Sequence, residues 1–251
     1  MSDTDGGSGS NYGSYLRLSD LLALQQTRST PTHPDELLFI VVHQASELWF
    51  KLILHELDHL IARMAAADAL GALGALKRLN GVMGIVSQSL TALDTLPPQR
   101  FAEFRGYLGS SSGSQSEQFR AIEAASGLRE PHFVQALGEH GPIPALVQRA
   151  LDRPTLQALY ETMLAQAGVT LEGVYAAKET TPFFLLAEEL LEYEQGFAKW
   201  RFLHVQLVER IIGPMTGGTG GTLGAKYLQR TVNQRFFPAL WAVRAKVFGA
   251  G

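Results

Sequence analysis

Two histidines sit where helical periodicity turns them inward, and an imidazole on an apolar wall can ligate a metal, exchange a proton or hydrogen-bond in a core. His43 lies in a run where Phe39, His43, Glu47, Phe50, Leu54, Leu57 and Ile61 recur at three- and four-residue steps. That spacing stacks the side chains on one helical face. His204 lies in a second such run, Leu190, Phe197, Trp200, His204, Leu207 and Ile211, with Glu194 one turn before Phe197. A lone inward histidine is most often a hydrogen-bonded core residue. Two of them on separate long helices can share a pocket, because bundles build cofactor sites from side chains on facing helices. A haem asks for that arrangement: an apolar slot, one neutral imidazole for the iron, and a polar group on the other face. Spacing alone leaves the core-histidine alternative standing.

A third constellation, His55-Glu56-Leu57-Asp58-His59, matches H-E-x-x-H and so the zinc peptidases, which need two imidazoles one turn apart with a carboxylate between. Three features weigh against it. No Gly-x-x-His extension follows, Leu54, Leu57 and Ile61 define the buried face, and the two histidines lie about 100° round the helix from Leu54. They are expected to face solvent or a subunit contact. A third ligand from a distant carboxylate keeps zinc as an alternative.

Gly217-Gly218-Thr219-Gly220-Gly221-Thr222 falls between a helix end and a helix start, where free backbone N–H groups can bind an anion or a substrate head group. It is not a nucleotide loop, since it lacks the Gly-Lys-Ser/Thr ending and a preceding strand. A flexible linker and a substrate lid both fit it. Gly109-Ser110-Ser111-Ser112-Gly113-Ser114 reads as a plain linker. Arg105, after Phe101 and Phe104, is either a surface residue or a carboxylate clamp.

The elements that carry these residues read as helices throughout. Apolar spacing gives a short helix around Leu16 to Leu22, then a long one from about Pro34 to Ala66, with Asp35 and Glu36 favourable to its dipole. Further helices fit residues 71–94, 98–107, 115–125, 131–138, 143–150 and 154–167. A second long helix runs over about 182–212, opened by Thr181-Pro182 and closed by Gly213-Pro214, and a last one over 222–247. No alternating strand pattern is convincing. The expected architecture is therefore all-α: a single-domain helical bundle over residues 11–251, its two long helices enclosing the pocket, behind a polar tail of residues 1–10.

Composition narrows the chemistry. The 251 residues are 46% hydrophobic, enough for a sizeable core, and 21 Lys+Arg against 24 Asp+Glu offer no basic footprint for nucleic acid or an anionic membrane. There is no cysteine, which excludes disulfides, zinc knuckles, thiolate-ligated haem and iron–sulfur clusters together. Any metal must be held by histidine or carboxylate. With no leader-like N-terminus and no uninterrupted apolar span of 18 residues, a soluble cytoplasmic protein is expected.

His33-Pro34-Asp35-Glu36-Leu37-Leu38-Phe39-Ile40, continued by His43-Gln44-Ala45-Ser46-Glu47-Leu48-Trp49-Phe50-Lys51, closely resembles the N-terminal signature of the tryptophan 2,3-dioxygenases. The likeness extends over Tyr12-Gly13-Ser14-Tyr15-Leu16, Phe104-Arg105, Leu108-Gly109, Ser111-Ser112-Gly113, Gln115-Ser116 and Gln118-Phe119-Arg120. In the C-terminal half it takes in Trp200-Arg201, His204, Val208, Arg210, Ile212-Gly213 and Gly218-Thr219-Gly220-Gly221. The resemblance implies an all-helical homo-oligomer, a tetramer or dimer, that binds non-covalent haem b and adds both atoms of dioxygen to the indole C2–C3 bond of L-tryptophan or an analogue. An N-formylkynurenine-type product follows.

Residue by residue, it implies His204 as the iron ligand and His43 as the distal histidine that hydrogen-bonds the indole N–H. Phe39 and Phe101 become aromatic walls, Arg105 the grip on the substrate carboxylate, and Thr219 a contact to the amino-acid end. Ser112 and Gly113 fall beside the cofactor, while Tyr12 and Tyr15 are lent to a neighbouring subunit's pocket. The segment Gly213-Pro214-Met215-Thr216-Gly217 is one residue longer than the family's usual spacing and lacks its usual basic residue. That departure motivates a runner-up, a biosynthetic monooxygenase acting on a tryptophan derivative. A haem- or amino-acid-binding sensor without turnover is a third reading.

Overall fold

A computed structural model of the chain describes residues 11–138, 141–177, 179–214 and 225–249. Among them there is no strand, and the helices fall close to the segments their periodicity marks out. Two short helices, α1 (Tyr12–Tyr15) and α2 (Leu18–Leu21), precede the long α3 (Glu36–Ala65). Then come α4 (Ala69–Leu90), α5 (Pro98–Arg105), α6 (Glu117–Ser126), α7 (Pro131–Gly138), α8 (Ala145–Leu151), α9 (Leu156–Gln166) and α10 (Leu171–Ala176). The second long helix is α11 (Pro182–Ile212), followed by α12 (Ala225–Thr231) and α13 (Pro238–Phe248).

Helix ends follow the local chemistry. Thr181 caps α11 by accepting the Phe184 N–H at 3.1 Å, Pro182 fills the first turn, and Gly213 ends the helix at φ 86°. Asp68 caps α4 in the same way, through the Gly71 N–H at 2.9 Å. At the start of α3 the expectation needs correcting. Pro34 lies outside the helix, and Asp35 stands at the cap without bonding the first turn, because its carboxylate is paired with Arg100.

Two further departures have physical causes. The helix expected over 222–247 is broken before Pro238, which lacks an N–H, and the amides of Phe236 and Phe237 are spent on the Glu194 carboxylate at 2.6 and 2.9 Å. The six-residue α10 carries too few apolar positions to announce itself, although Val174 and Tyr175 are buried.

The two long helices pack against α4, α11 on one side and α3 on the other, and α6 lies across α3 and α8. Their main core joins Ile53, Leu57 and Leu60 of α3 to Leu76, Leu79 and Met83 of α4 and to Leu186, Leu190 and Phe197 of α11. A smaller apolar cluster gathers Val42, Leu90, Leu93, Phe101, Phe104 and Leu207. Trp200 packs against both clusters, so the space between them is walled by α3, α5, α6 and α11.

Glu194 ties the end of the chain to this frame. Its carboxylate, 1% exposed, accepts the two amides above, the Trp241 indole N–H at 2.6 Å and the Arg235 guanidinium at 3.0 Å. Removing it strands the two amides and the indole N–H, while Arg235, 51% exposed, turns to water; at about 1–3 kcal/mol for each unsatisfied buried donor the loss is about 3–5 kcal/mol. Glu194→Ala is therefore expected to lower Tm by roughly 6–20 °C, since 1 kcal/mol moves Tm by about 2–4 °C at this chain length. A shift under about 3 °C in a thermal melt would contradict that role.

By length and composition, Glu36–Ala65 and residues 69–95 could cross a membrane, with mean hydropathies of 1.6 and 1.2. Their inner faces instead build the core just described. The outward face of α3 keeps Leu37, Val41 and Leu48 exposed, and in the preceding segment Tyr12, Tyr15, Leu16, Leu22 and Leu24 are exposed as well.

Candidate functional site

The space between the two clusters is a cavity of about 710 Å³, within the range that cofactor and ligand sites occupy. Both singled-out histidines line it, His43 from α3 and His204 from α11. Phe39, Phe101, Arg105, Ser112 and Gly113 are also on its wall. Tyr12 and Tyr15 are not among the lining residues of their own chain and are 76% and 78% exposed. Thr219, with the whole glycine-rich segment, lies outside the described residues.

His43 is held in one tautomer. Its Nδ1 lies 2.7 Å from the Phe39 carbonyl one turn earlier, and a carbonyl can only accept, so Nδ1 carries the proton. The basic nitrogen is then Nε2. Removal from water lowers the pKa of His43, against smaller opposing effects of that carbonyl and of Glu47, although the residue is exposed where it lines the cavity. Phe39 stacks at 4.1 Å between ring centroids, and Phe101 follows at 5.6 Å from Phe39. One end of the cavity is thus a neutral imidazole set in an aromatic wall. Arg105, partly buried at the end of α5, lines the same cavity.

At His204 desolvation does most of the work, with nearby His43 adding to it, and together they lower the pKa to about 4. The ring rests on Trp200 at 5.1 Å. A neutral imidazole with an available lone pair is what a metal ligand must be. The sign of the pH effect follows. The folded-state pKa lies below the ordinary value of 6.5, so the stability involved is complete above pH 6.5 and is lost as pH falls towards 4. The upper bound is about 2–3 kcal/mol at pH 4.5, because water in the cavity screens part of it. Metal-free protein unfolded by urea at pH 7.5 and pH 4.5 is expected to lose more stability on acidification than His204→Gln does. Equal losses in the two proteins would remove His204 from the effect.

The wall below His204 carries buried charge. Glu123, 1% exposed, accepts from Arg201 and from Arg120, each at 2.7 Å, which sets two guanidiniums against one carboxylate. Arg201 Nε and Trp200 Nε1 are buried there without a hydrogen-bond partner. Buried donors are normally satisfied, so this wall suits a ligand that brings acceptors and negative charge. The acidic side chains of haem b supply both, and together with a neutral imidazole in an apolar slot they fit the group. Arg120 and Arg201 fall in the stretches that carry the family resemblance but receive no role from the sequence, and Glu123 is not singled out at all. Helical spacing from Trp200 and His204 does place Arg201 on a neighbouring face, but nothing in the sequence pairs it with α6.

The other expectations divide. Gly109 to Ser114 is more than a linker: Ser111 to Ser114 line the cavity, and Ser112 caps a short 3-10 turn over Gly113–Gln115. His55 and His59 are exposed, with ring centroids 4.5 Å apart, while Glu56 is buried and paired with Arg78 at 3.5 Å. Among the described residues no three metal-binding side chains of the His, Asp and Glu types come together, so the H-E-x-x-H run lacks the third ligand of a zinc peptidase.

Comparison with known proteins leads to the same place. The family profile described as tryptophan 2,3-dioxygenase matches residues 2–138 and 156–247. Proteins named tryptophan 2,3-dioxygenase from Kineococcus radiotolerans and Bacillus thuringiensis are 38% and 40% identical to this chain. Each alignment covers 94% of the chain and respectively 91% and 92% of the relative. One of the same name from Herpetosiphon aurantiacus is 37% identical over 93% of this chain and 97% of its own. With the profile spanning both the His43 helix and the His204 helix, the chain belongs to the tryptophan 2,3-dioxygenase family.

Proposed function

We propose that residues 11–251 form one haem-binding domain that adds both atoms of dioxygen to the indole ring of L-tryptophan or a close analogue. The observation that carries this reading is one cavity bounded by His43 of α3 and His204 of α11, with Arg105 on the same wall. His204 would hold the iron of the haem, and Arg120, Arg201 and Trp200 would meet its acidic groups, with Ser112 and Gly113 beside it. When bound, the haem supplies dioxygen binding and activation at iron.

The remaining work belongs to the chain. Neutral His43, its proton committed to the Phe39 carbonyl, offers Nε2 to the indole N–H. Phe39 and Phe101 hold the ring between aromatic faces, and Arg105 takes the carboxylate in a two-pronged grip, with Thr219, by family resemblance, a contact to the amino-acid end. Indole is electron-rich and leaves as the oxidised product, so no external electron donor is needed. The products of L-tryptophan and dioxygen are balanced as N-formylkynurenine.

A homo-oligomer belongs to the same reading. Leu37, Val41 and Leu48 of α3 are exposed, as are Tyr12, Tyr15, Leu16, Leu22 and Leu24 before it, and an apolar surface of that kind is covered in most assemblies. Tyr12 and Tyr15, exposed and not among the residues lining their own cavity, are then available to a neighbour's. Sedimentation of the haem-loaded protein as a monomer would contradict this.

The reaction is tested with heavy dioxygen. Turnover of L-tryptophan is expected to place two labelled atoms in the product. One labelled atom would favour a monooxygenase, and a ligand-induced spectral change without product would favour a sensor.

A further inference from the structure

The loop from Arg28 to Asp35, between α2 and α3, is fastened to both walls of the cavity. On the α3 side, the buried carboxylate of Glu36 accepts the backbone N–H groups of Arg28 at 2.7 Å and Ser29 at 3.0 Å, and the Ser29 hydroxyl as well. Ser29 Oγ in turn accepts the His33 N–H at 2.7 Å. On the α5 side there are three polar links. His33 Nδ1 accepts the Asp35 N–H at 3.2 Å, so its Nε2 carries the proton and donates to Glu103 at 2.9 Å. Asp35 pairs with Arg100, and the Tyr107 hydroxyl donates to the Thr30 carbonyl at 2.8 Å.

We propose that residues 28–35 act as a strap that sets the distance and register between the His43 wall on α3 and Arg105 on α5. His33, Asp35, Arg100 and Glu103 are then positioning residues for the carboxylate of an amino-acid substrate. The inference rests on the reading of Arg105 given above.

Three physical points support it. Helix α5 has eight residues and no side-chain cap at Pro97, too short to hold its own geometry. The apolar contacts of Phe101 and Phe104 keep α5 in place but are non-directional, so they do not fix its rotation. Arg100 and Glu103 are 43% and 60% exposed, and pairs that open to water add little to global stability. Directional links of small energetic worth, bridging the two elements that meet the substrate, control position. A displacement of about 1 Å is enough to cost activity heavily.

The test compares L-tryptophan with tryptamine, which keeps the indole and ammonium but lacks the carboxylate. Binding to the haem-loaded protein is read from the Soret band without oxygen. Arg100→Ala with Glu103→Ala is expected to weaken L-tryptophan about tenfold and tryptamine less than about twofold, with KM rising more than kcat falls. The same pair added to Arg105→Ala is expected to change nothing further, which is the mark of coupling through that arginine. Arg100→Lys should restore part of the L-tryptophan affinity. Equal losses for both ligands, or full additivity with Arg105→Ala, would overturn the strap. An Arg105→Ala protein that binds L-tryptophan normally would instead overturn the reading of Arg105, and the two failures are read from different variants.

Discussion

His204→Ala is expected to leave a folded protein with almost no haem. Residues that only orient a metal ligand change metal affinity by about 10–100-fold when removed, and loss of the ligand itself should exceed that. The side chain sits on the cavity wall against Trp200, so its deletion leaves a recess the size of an imidazole. Free imidazole should enter that recess and restore both the Soret band and part of the turnover. The companion variant separates binding from chemistry. His43→Ala removes one hydrogen bond to substrate and should keep full haem and an unchanged axial-ligand spectrum while kcat/KM falls about 10–100-fold, the worth of roughly 1.5–3 kcal/mol. Full haem loading with an unchanged spectrum in His204→Ala would show that another residue holds the iron.

Arg105→Ala carries the second large effect. A guanidinium that grips a carboxylate through two parallel hydrogen bonds loses about 3 kcal/mol on truncation, or roughly 100-fold in L-tryptophan affinity. Arg105→Lys keeps the charge but not the planar fork and should recover only a small part. For tryptamine the wild type and the alanine variant should differ little. The comparison is informative because Arg105 lies at the last turn of α5 while His204 lies on α11, so the haem spectrum is expected to be untouched. Identical L-tryptophan titrations for wild type and Arg105→Ala would move the carboxylate site elsewhere in the cavity.

The two histidine variants probe positions that helical periodicity brings forward, whereas Arg105 reads locally as either a surface residue or a clamp, and the reason is physical. The stripes through His43 and His204 each extend over many turns, and a long stripe fixes which side chains face inward wherever the helix ends lie. Cavity-lining Phe39, Phe50 and Trp200 follow from that argument alone. The broken C-terminal helix does not, because what stops it is a tertiary contact: Glu194, more than forty residues earlier, captures the amides of Phe236 and Phe237. Nor does the Glu123 network, in which α6 and α11 exchange charge across 78 positions of sequence.

Some features were open to a wrong local reading. Gly109 to Ser114 has linker composition, yet the Ser112 cap folds it against the cavity. His55 and His59 have the spacing of a metal pair, but Glu56 faces the core and is committed to Arg78, which no periodicity argument reports. Family resemblance added what the residues could not: the pairing of His43 with an indole, the role of Arg105 and the lending of Tyr12 and Tyr15. Of the residues concerned, His43 and Arg105 line one cavity, while Tyr12 and Tyr15 are exposed outside it.

The most direct test is an experimental structure of the haem-loaded protein with L-tryptophan bound. One haem should lie between α3 and α11, its iron on His204 Nε2 and its acidic edge toward Arg120 and Arg201. The indole N–H should meet His43 Nε2 and the carboxylate Arg105. Iron held by any other side chain, or tryptophan seated outside this cavity, would contradict the account.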